Sequence, residues 1–141
     1  MLIGKAQIAT LIPHAGRMCL LDEVLDWSPE RIRCRACSHR DAENPMRSGG
    51  ELPALCGIEY AAQAMALHGR LSVQTATSKG GYLASVREVM CRVSRLDDLP
   101  GDLVIEAHRL MGDEMRVVYG FSLSANAAVI LEGRAAVILE A

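Results

Sequence analysis

Apolar and polar residues alternate with two different periods along this chain, and the change between them divides it into parts. Residues 7–12 have a short helical spacing that Pro13 ends. Met18 to Trp27 is a mostly apolar run and predicts a first strand, with a turn at Ser28, Pro29 and Glu30. Arg31 to His39 alternates and predicts a second strand. Arg40 to Glu51 is rich in Asp, Asn, Gly and Pro and reads as a loop. A long helix is then expected from about Pro53, a residue suited to a first turn, to His68, with Gly69 at its stop. After a polar loop over 74–80 the period returns to two. Strands are expected over 81–87, with 88–94 continuing that edge or forming the next strand, and over 103–110, 115–124 and 128–140. The intervening turns are expected at Leu99–Asp102, Met111–Glu114 and around Asn126.

The central helix is the most informative element. From Ala54 to Leu67 nearly every residue is apolar or small, except Glu59 and Gln63. A helix apolar on all sides belongs inside a protein, and a carboxylate placed there needs a partner or changes its protonation. Glu59 and Gln63 are four apart and share a helix face. A buried carboxyl of this kind suits proton-transfer chemistry or a structural pair, and the helix alone does not choose. A flat sheet would leave the back of such a helix exposed, whereas a curved antiparallel sheet wraps it. The expected fold is therefore α+β: a hot-dog fold with one long central helix, in a single domain over residues 1–141. Open sheet edges in that fold make a dimer the expected state.

Composition narrows the function classes. The chain has 141 residues, half of them hydrophobic, with a formal net charge of −2, so no polybasic nucleic-acid surface is expected. The first residues lack the pattern of a signal peptide, and the longest apolar run is interrupted by Glu59, Gln63 and Gly57. A cytoplasmic protein without a membrane span is expected. The five cysteines fit reduced thiols. Cys34 and Cys37 form a C-x-x-C spacing, but on a strand positions three apart face opposite ways, which disfavours a metal or redox role. No residue pattern calls for a metal, nucleotide or flavin.

Three segments carry a family resemblance. The first is Leu11 to Leu25, with Pro13 and His14 ahead of an apolar run ending in Asp22. The second is Leu52 to Ala64, with Glu59 followed by Gln63. The third is Gly81 to Arg87 together with Leu99, Pro100, Gly101 and Asp102. Together they resemble the β-hydroxyacyl-acyl-carrier-protein dehydratases of the hot-dog superfamily, nearest to the branch of aryl polyene and related pigment pathways. The resemblance implies dehydration of a 3-hydroxyacyl thioester borne on the 4'-phosphopantetheine arm of an acyl carrier protein, with Glu59 as the acidic catalytic residue. It also implies a homodimer, or a heterodimer with another hot-dog subunit. Gly57 is the candidate backbone donor to the thioester carbonyl, and Gln63, Tyr60 and Tyr82 are candidates for lining the acyl site. Arg47 or Arg87 is a candidate for the arm's phosphate. The chain departs from the family in one respect. Well-known members carry a catalytic His in the loop before the acidic residue, and the corresponding Asn44 to Pro53 holds none.

His14 is the candidate replacement, because it lies in a resembling segment and imidazole titrates near neutrality. His39, beside the loop, is a weaker candidate. His68 lies nine residues past Glu59, about 13 Å along a helix, and His108 sits within a strand; both read as structural. Two other functions remain open: a hot-dog thioesterase in which Glu59 activates water, and a non-catalytic partner of an active dehydratase.

Overall fold

The computed structural model describes residues 3–13, 16–72, 81–113 and 115–139. It contains an antiparallel sheet of seven strands: β1 (Ile3–Gly4), β2 (Glu23–Ser28), β3 (Arg31–Ala36), β4 (Gly81–Cys91), β5 (Leu103–Gly112), β6 (Arg116–Ala125) and β7 (Ala128–Leu139), in the order β1-β2-β3-β5-β6-β7-β4. Two helices complete it, α1 (Lys5–Leu11) and α2 (Gly57–Ser72). The expected hot-dog arrangement is present, with α2 lying against β3, β5 and β6.

Period-two burial fixes which face of the sheet receives the helix. Ile32, Cys34 and Ala36 on β3, Leu103, Ile105 and Ala107 on β5, and Val117, Tyr119, Phe121 and Leu123 on β6 all point inward. Their neighbours form a charged outer layer, in which Arg31 and Arg33 meet Asp26, Arg31 also meets Glu106, and Arg35 bridges Glu23 and Asp102. Exposed pairs of this kind contribute little individually, but they keep the outer face polar and so prevent a one-residue register slip. Cys34 is packed in the core, and burial pushes its thiol up to about 12, whereas Cys37 is only half-buried.

The turns follow local chemistry. Asn126 and Ala127 both have positive φ, 51° and 66°, which makes a two-residue hairpin loop whose twist matches its strands. The Asn126 side chain donates to the Pro100 carbonyl, at 3.3 Å, beside Gly101, which has φ +76° in the Pro-Gly turn.

Several expected boundaries move. The first long strand begins at Glu23, because Gly16–Met18 forms a 3₁₀ turn and the chain beyond it meets β3 only where the Asp22 N–H donates to the Arg35 carbonyl. β3 ends at Ala36 and a 3₁₀ turn follows over Ser38–Arg40. Residues 81–91 form one strand, irregular between Arg87 and Met90, where Glu88 has φ 58°. The two-residue β1 has no sequence signature. α2 does not stop at Gly69 but continues to Ser72. The polar loop read at 74–80 lies outside the described residues.

The continuation past Gly69 places His68 well inside the helix. His68 is buried; its Nε2–H donates to the Ser28 carbonyl (2.8 Å) and its Nδ1 accepts from the Tyr119 hydroxyl (2.8 Å). One imidazole thus ties α2 to the β2–β3 turn and to β6. Burial lowers its pKa below 6.5, so the neutral form is held. His68→Phe should cost about 2–4 kcal/mol, measured by urea denaturation, because two buried groups lose their partner. The unfolded chain takes up the proton first, so this contribution is complete above pH 6.5 and declines as pH falls below it. The wild-type midpoint should therefore drop more steeply than that of His68→Phe between about pH 7 and pH 5; parallel slopes would contradict the assignment.

Candidate active site

The approach to α2 is tightly held. Ala54–Cys56 forms a 3₁₀ turn that runs directly into the α-helix at Gly57. The Ala54 N–H donates to the Ser94 carbonyl (3.1 Å), and the Leu96 N–H donates to the Leu52 carbonyl (2.8 Å). The Gly57 N–H donates back to the carbonyls of Ala54 and Leu55, so it is engaged within the turn and not presented to a substrate carbonyl. The glycine has a packing reason instead. A Cβ on Gly57 would come within 2.6 Å of Leu131 Cδ2 and 2.9 Å of Leu123 Cδ2, so the helix start lies flush against β6 and β7.

Burial around α2 is uneven, which corrects the expectation of a helix enclosed on every side. Tyr60, Ala61, Gln63, Ala64, Leu67 and His68 are buried. Ile58, Glu59, Ala62, Ala66, Gly69 and Arg70 are only partly covered, and Leu55, just ahead of the helix, is 59 % exposed. At 100° per residue these seven fall on one side of the helix. Glu59, in the first turn, sits on this open strip beside residues with small side chains.

Tyr60 and Gln63, read as substrate-lining, do something else. Both are fully buried, and both fasten loops to the helix. Gln63 Oε1 accepts the Leu20 N–H (2.9 Å) and its Nε2 donates to the Met18 carbonyl (2.7 Å). The Tyr60 hydroxyl donates to Ser38 Oγ (2.8 Å), and Ser38 donates on to the Leu20 carbonyl (2.7 Å); Asn44 Nδ2 donates to the Tyr60 oxygen (3.2 Å). Burial holds the phenol up at about 12, so it stays protonated as this chain of bonds requires. Leu20 is thereby held at its N–H by Gln63 directly and at its carbonyl by Ser38, which Tyr60 holds in turn. Sequence reading missed Ser38 and Asn44; the Asn-Pro step at 44–45 was the available signal, since Asn44 also accepts the Met46 N–H in a local turn.

The remaining candidates have other partners, lie exposed on the sheet, or fall outside the described residues. His14 is outside the described residues. His39 is buried, donating from Nε2 to the Leu99 carbonyl (3.2 Å), and burial lowers its pKa. His108 lies across Gly120 on the outer face of the sheet. Arg47 bonds the carbonyls of Gly50 and His39, which bends the loop onto itself. Asp22 accepts the Cys37 N–H (2.7 Å) and stands 3.6 Å from Lys5, a structural partner for the loop. Tyr82 (56 % exposed), Leu83 and Met90 lie exposed on β4, an edge strand of the sheet, as does Arg87. Among the described residues no cluster of metal-ligating side chains is present, and no helix is long and apolar enough to cross a membrane.

A curved antiparallel sheet around one long helix, with a carboxylate in that helix's first turn, defines a hot-dog protein of the thioesterase and dehydratase type. The family is more specific: the chain belongs to the ApeP-like dehydratases, whose profile, described as ApeP dehydratase, matches residues 6–140. The dehydratase heterocomplex ApeI:P from Xenorhabdus doucetiae is similar over 95 % of this chain and 91 % of its own, at 26 % identity and a TM-score of 0.84. A thioesterase from Haemophilus influenzae, HI1161, aligns over 99 % of this chain and 92 % of its own, at 11 % identity and TM-score 0.69. A hypothetical thioesterase with coenzyme A from Streptococcus pneumoniae aligns over 84 % of each chain, at 10 % identity and TM-score 0.61. These last two share the fold alone. No curated protein sequence gives a match. The family assignment supports dehydration in aryl polyene biosynthesis as the function.

Gln63→Ala should destabilise the chain by about 2–4 kcal/mol, because the Leu20 N–H and the Met18 carbonyl lose their partner. Urea denaturation measures this, and a loss under about half a kcal/mol would show that the amide does not clamp the loop.

Proposed function

We propose that this chain takes part in converting a 3-hydroxyacyl thioester, carried on the 4'-phosphopantetheine arm of an acyl carrier protein, to the trans-2-enoyl thioester. The observation that carries this reading is the position of Glu59: an acidic residue on the one incompletely covered strip of an otherwise buried helix, in a chain of a dehydratase family. His14 is the proposed base and Glu59 the proposed acid. The base takes the C2 proton, the C2–H electron pair becomes the C2=C3 double bond, and the C3–O bond breaks as Glu59 gives its proton to the departing hydroxyl, which leaves as water. The thioester carbonyl needs a donor other than the Gly57 N–H, which is engaged.

Two features support completion of the site by a second hot-dog subunit. The Glu59 strip is only partly covered in the single chain, and β4 is an edge strand of the sheet with Tyr82, Leu83 and Met90 exposed. A similar protein is described as a dehydratase heterocomplex. Pairing along β4 with an unlike subunit is the proposed assembly, and it would account for the missing loop histidine if the partner supplies one.

The reaction is tested by mass spectrometry of a 3-hydroxyacyl carrier protein, incubated with the chain alone and with the second hot-dog subunit of its pathway. Loss of one water with wild type is expected, with Glu59→Gln slower by about 10²–10⁴-fold. Loss that survives His14→Ala but not Glu59→Gln would move the base to the partner. Free acid would mean a thioesterase, and turnover by the partner that is indifferent to Glu59→Gln would make this chain a non-catalytic subunit.

The assembly is tested by size-exclusion chromatography with light scattering. Tyr82→Lys with Met90→Lys should leave the circular dichroism spectrum intact and yield a monomer. Unchanged assembly would place the interface elsewhere.

A further inference from the structure

We infer that Asp97 is a positioning residue for the dehydration step, acting through the backbone of Leu52 to set where the first turn of α2 holds Glu59; this rests on the assignment of Glu59 above. The segment after β4 runs alongside the entry to the helix. Two backbone bonds join them, Ala54 N–H to Ser94 and Leu96 N–H to Leu52, on either side of the facing pair Pro53 and Arg95. The Leu52 N–H is taken by a side chain of the same segment, not by its backbone. Asp97 supplies what the backbone lacks, its Oδ1 accepting the Leu52 N–H at 2.8 Å.

The carboxylate is itself held in place. Its side chain is 5 % exposed, and Arg95 grips both its oxygens through Nε and Nη2 while reaching Glu51 with Nη1 at 2.9 Å. The Arg95 guanidinium, then the Leu52 N–H, hold this carboxyl well below the usual range, so it remains a full acceptor. Leu52 and Leu96 are fully buried, and Leu96 lies 3.8 Å from the place of a Gly57 Cβ. From Ala54 the chain is helical without a break to Glu59, a 3₁₀ turn passing straight into α2. No loose joint lies between the residues that Asp97 and Ser94 anchor and the carboxylate on the open strip. A displacement at Leu52 therefore moves Glu59 with it.

The same segment also reaches the loop that follows β3. Two residues beyond Asp97, the Leu99 carbonyl accepts from His39, in the loop that Tyr60 and Asn44 also hold. Asp97 thus sits on a strut between the helix start and that loop, with Leu52 and Arg95 as its partners.

The test compares Asp97→Ala and Asp97→Asn with His68→Phe, which weakens the fold from the far part of α2 without altering its entry. Each is assayed for kcat and KM in the assembly that dehydrates the 3-hydroxyacyl carrier protein, and for hydrogen exchange at the Leu52 amide. Asp97→Ala should lower kcat about tenfold to a hundredfold with KM little changed, and should speed exchange at Leu52. Asp97→Asn, which keeps an acceptor for Leu52, should recover part of the rate. A loss in Asp97→Ala no larger than in His68→Phe, or an unaltered kcat, would overturn the inference while leaving Glu59 in place. If wild type removes no water in any assembly, the assignment of Glu59 falls, and the positioning role with it.

Discussion

A helix that lies inside a sheet can carry a polar side chain only where something around it completes that side chain's hydrogen bonds. This constraint organises the molecule. α2 carries Tyr60, Gln63 and His68 on its buried side, and each finds its partners in a different part of the fold: Ser38 and Asn44 for Tyr60, Met18 and Leu20 for Gln63, the end of β2 at Ser28 and Tyr119 of β6 for His68. The helix is therefore the post to which the loops are tied as well as the centre of the core. The loops tied nearest its start are those that flank Glu59's end of the helix. Precision at the site follows from satisfying buried polar groups, because each unsatisfied one would cost about 1–3 kcal/mol.

Much of this was legible in the sequence. The alternation of Arg31, Ile32, Arg33, Cys34, Arg35 and Ala36 showed β3 as a strand and which of its side chains face the core, since arginines tolerate only the outer face. The apolar run around Glu59 gave the central helix and, with the strands on either side, the fold. The elements that could not be read are those whose signal is tertiary. Gly69 looks like a helix stop, yet His68, one residue earlier, is locked to Ser28 and Tyr119, and packing carries the helix on to Ser72. The extended stretch from Cys19 to Asp22 reads as strand by composition, but its hydrogen bonds go largely to Gln63, Ser38 and Arg35, among them the Asp22 N–H donated to the Arg35 carbonyl.

The candidate site was legible to a lesser degree, for a physical reason. Periodicity locates a carboxylate on a helix but does not say which neighbouring polar residues face the same opening. Gln63 shares a side with Glu59 on a helical wheel, yet it turns into the core while Glu59 stays at the strip that remains partly uncovered. A single turn of helix thus separates a residue available to chemistry from one committed to architecture. The resemblance to dehydratases marked both positions without distinguishing their work.

Gly57 has a consequence for how this chain can vary over time. Its missing side chain leaves room that the methyl groups of Leu131 and Leu123 already fill. Nothing larger enters at 57 unless β7 or β6 gives up volume opposite. Positions 57, 123 and 131 therefore drift as one locus: a substitution at any of them is filtered through the other two, although Leu123 lies 66 positions after Gly57.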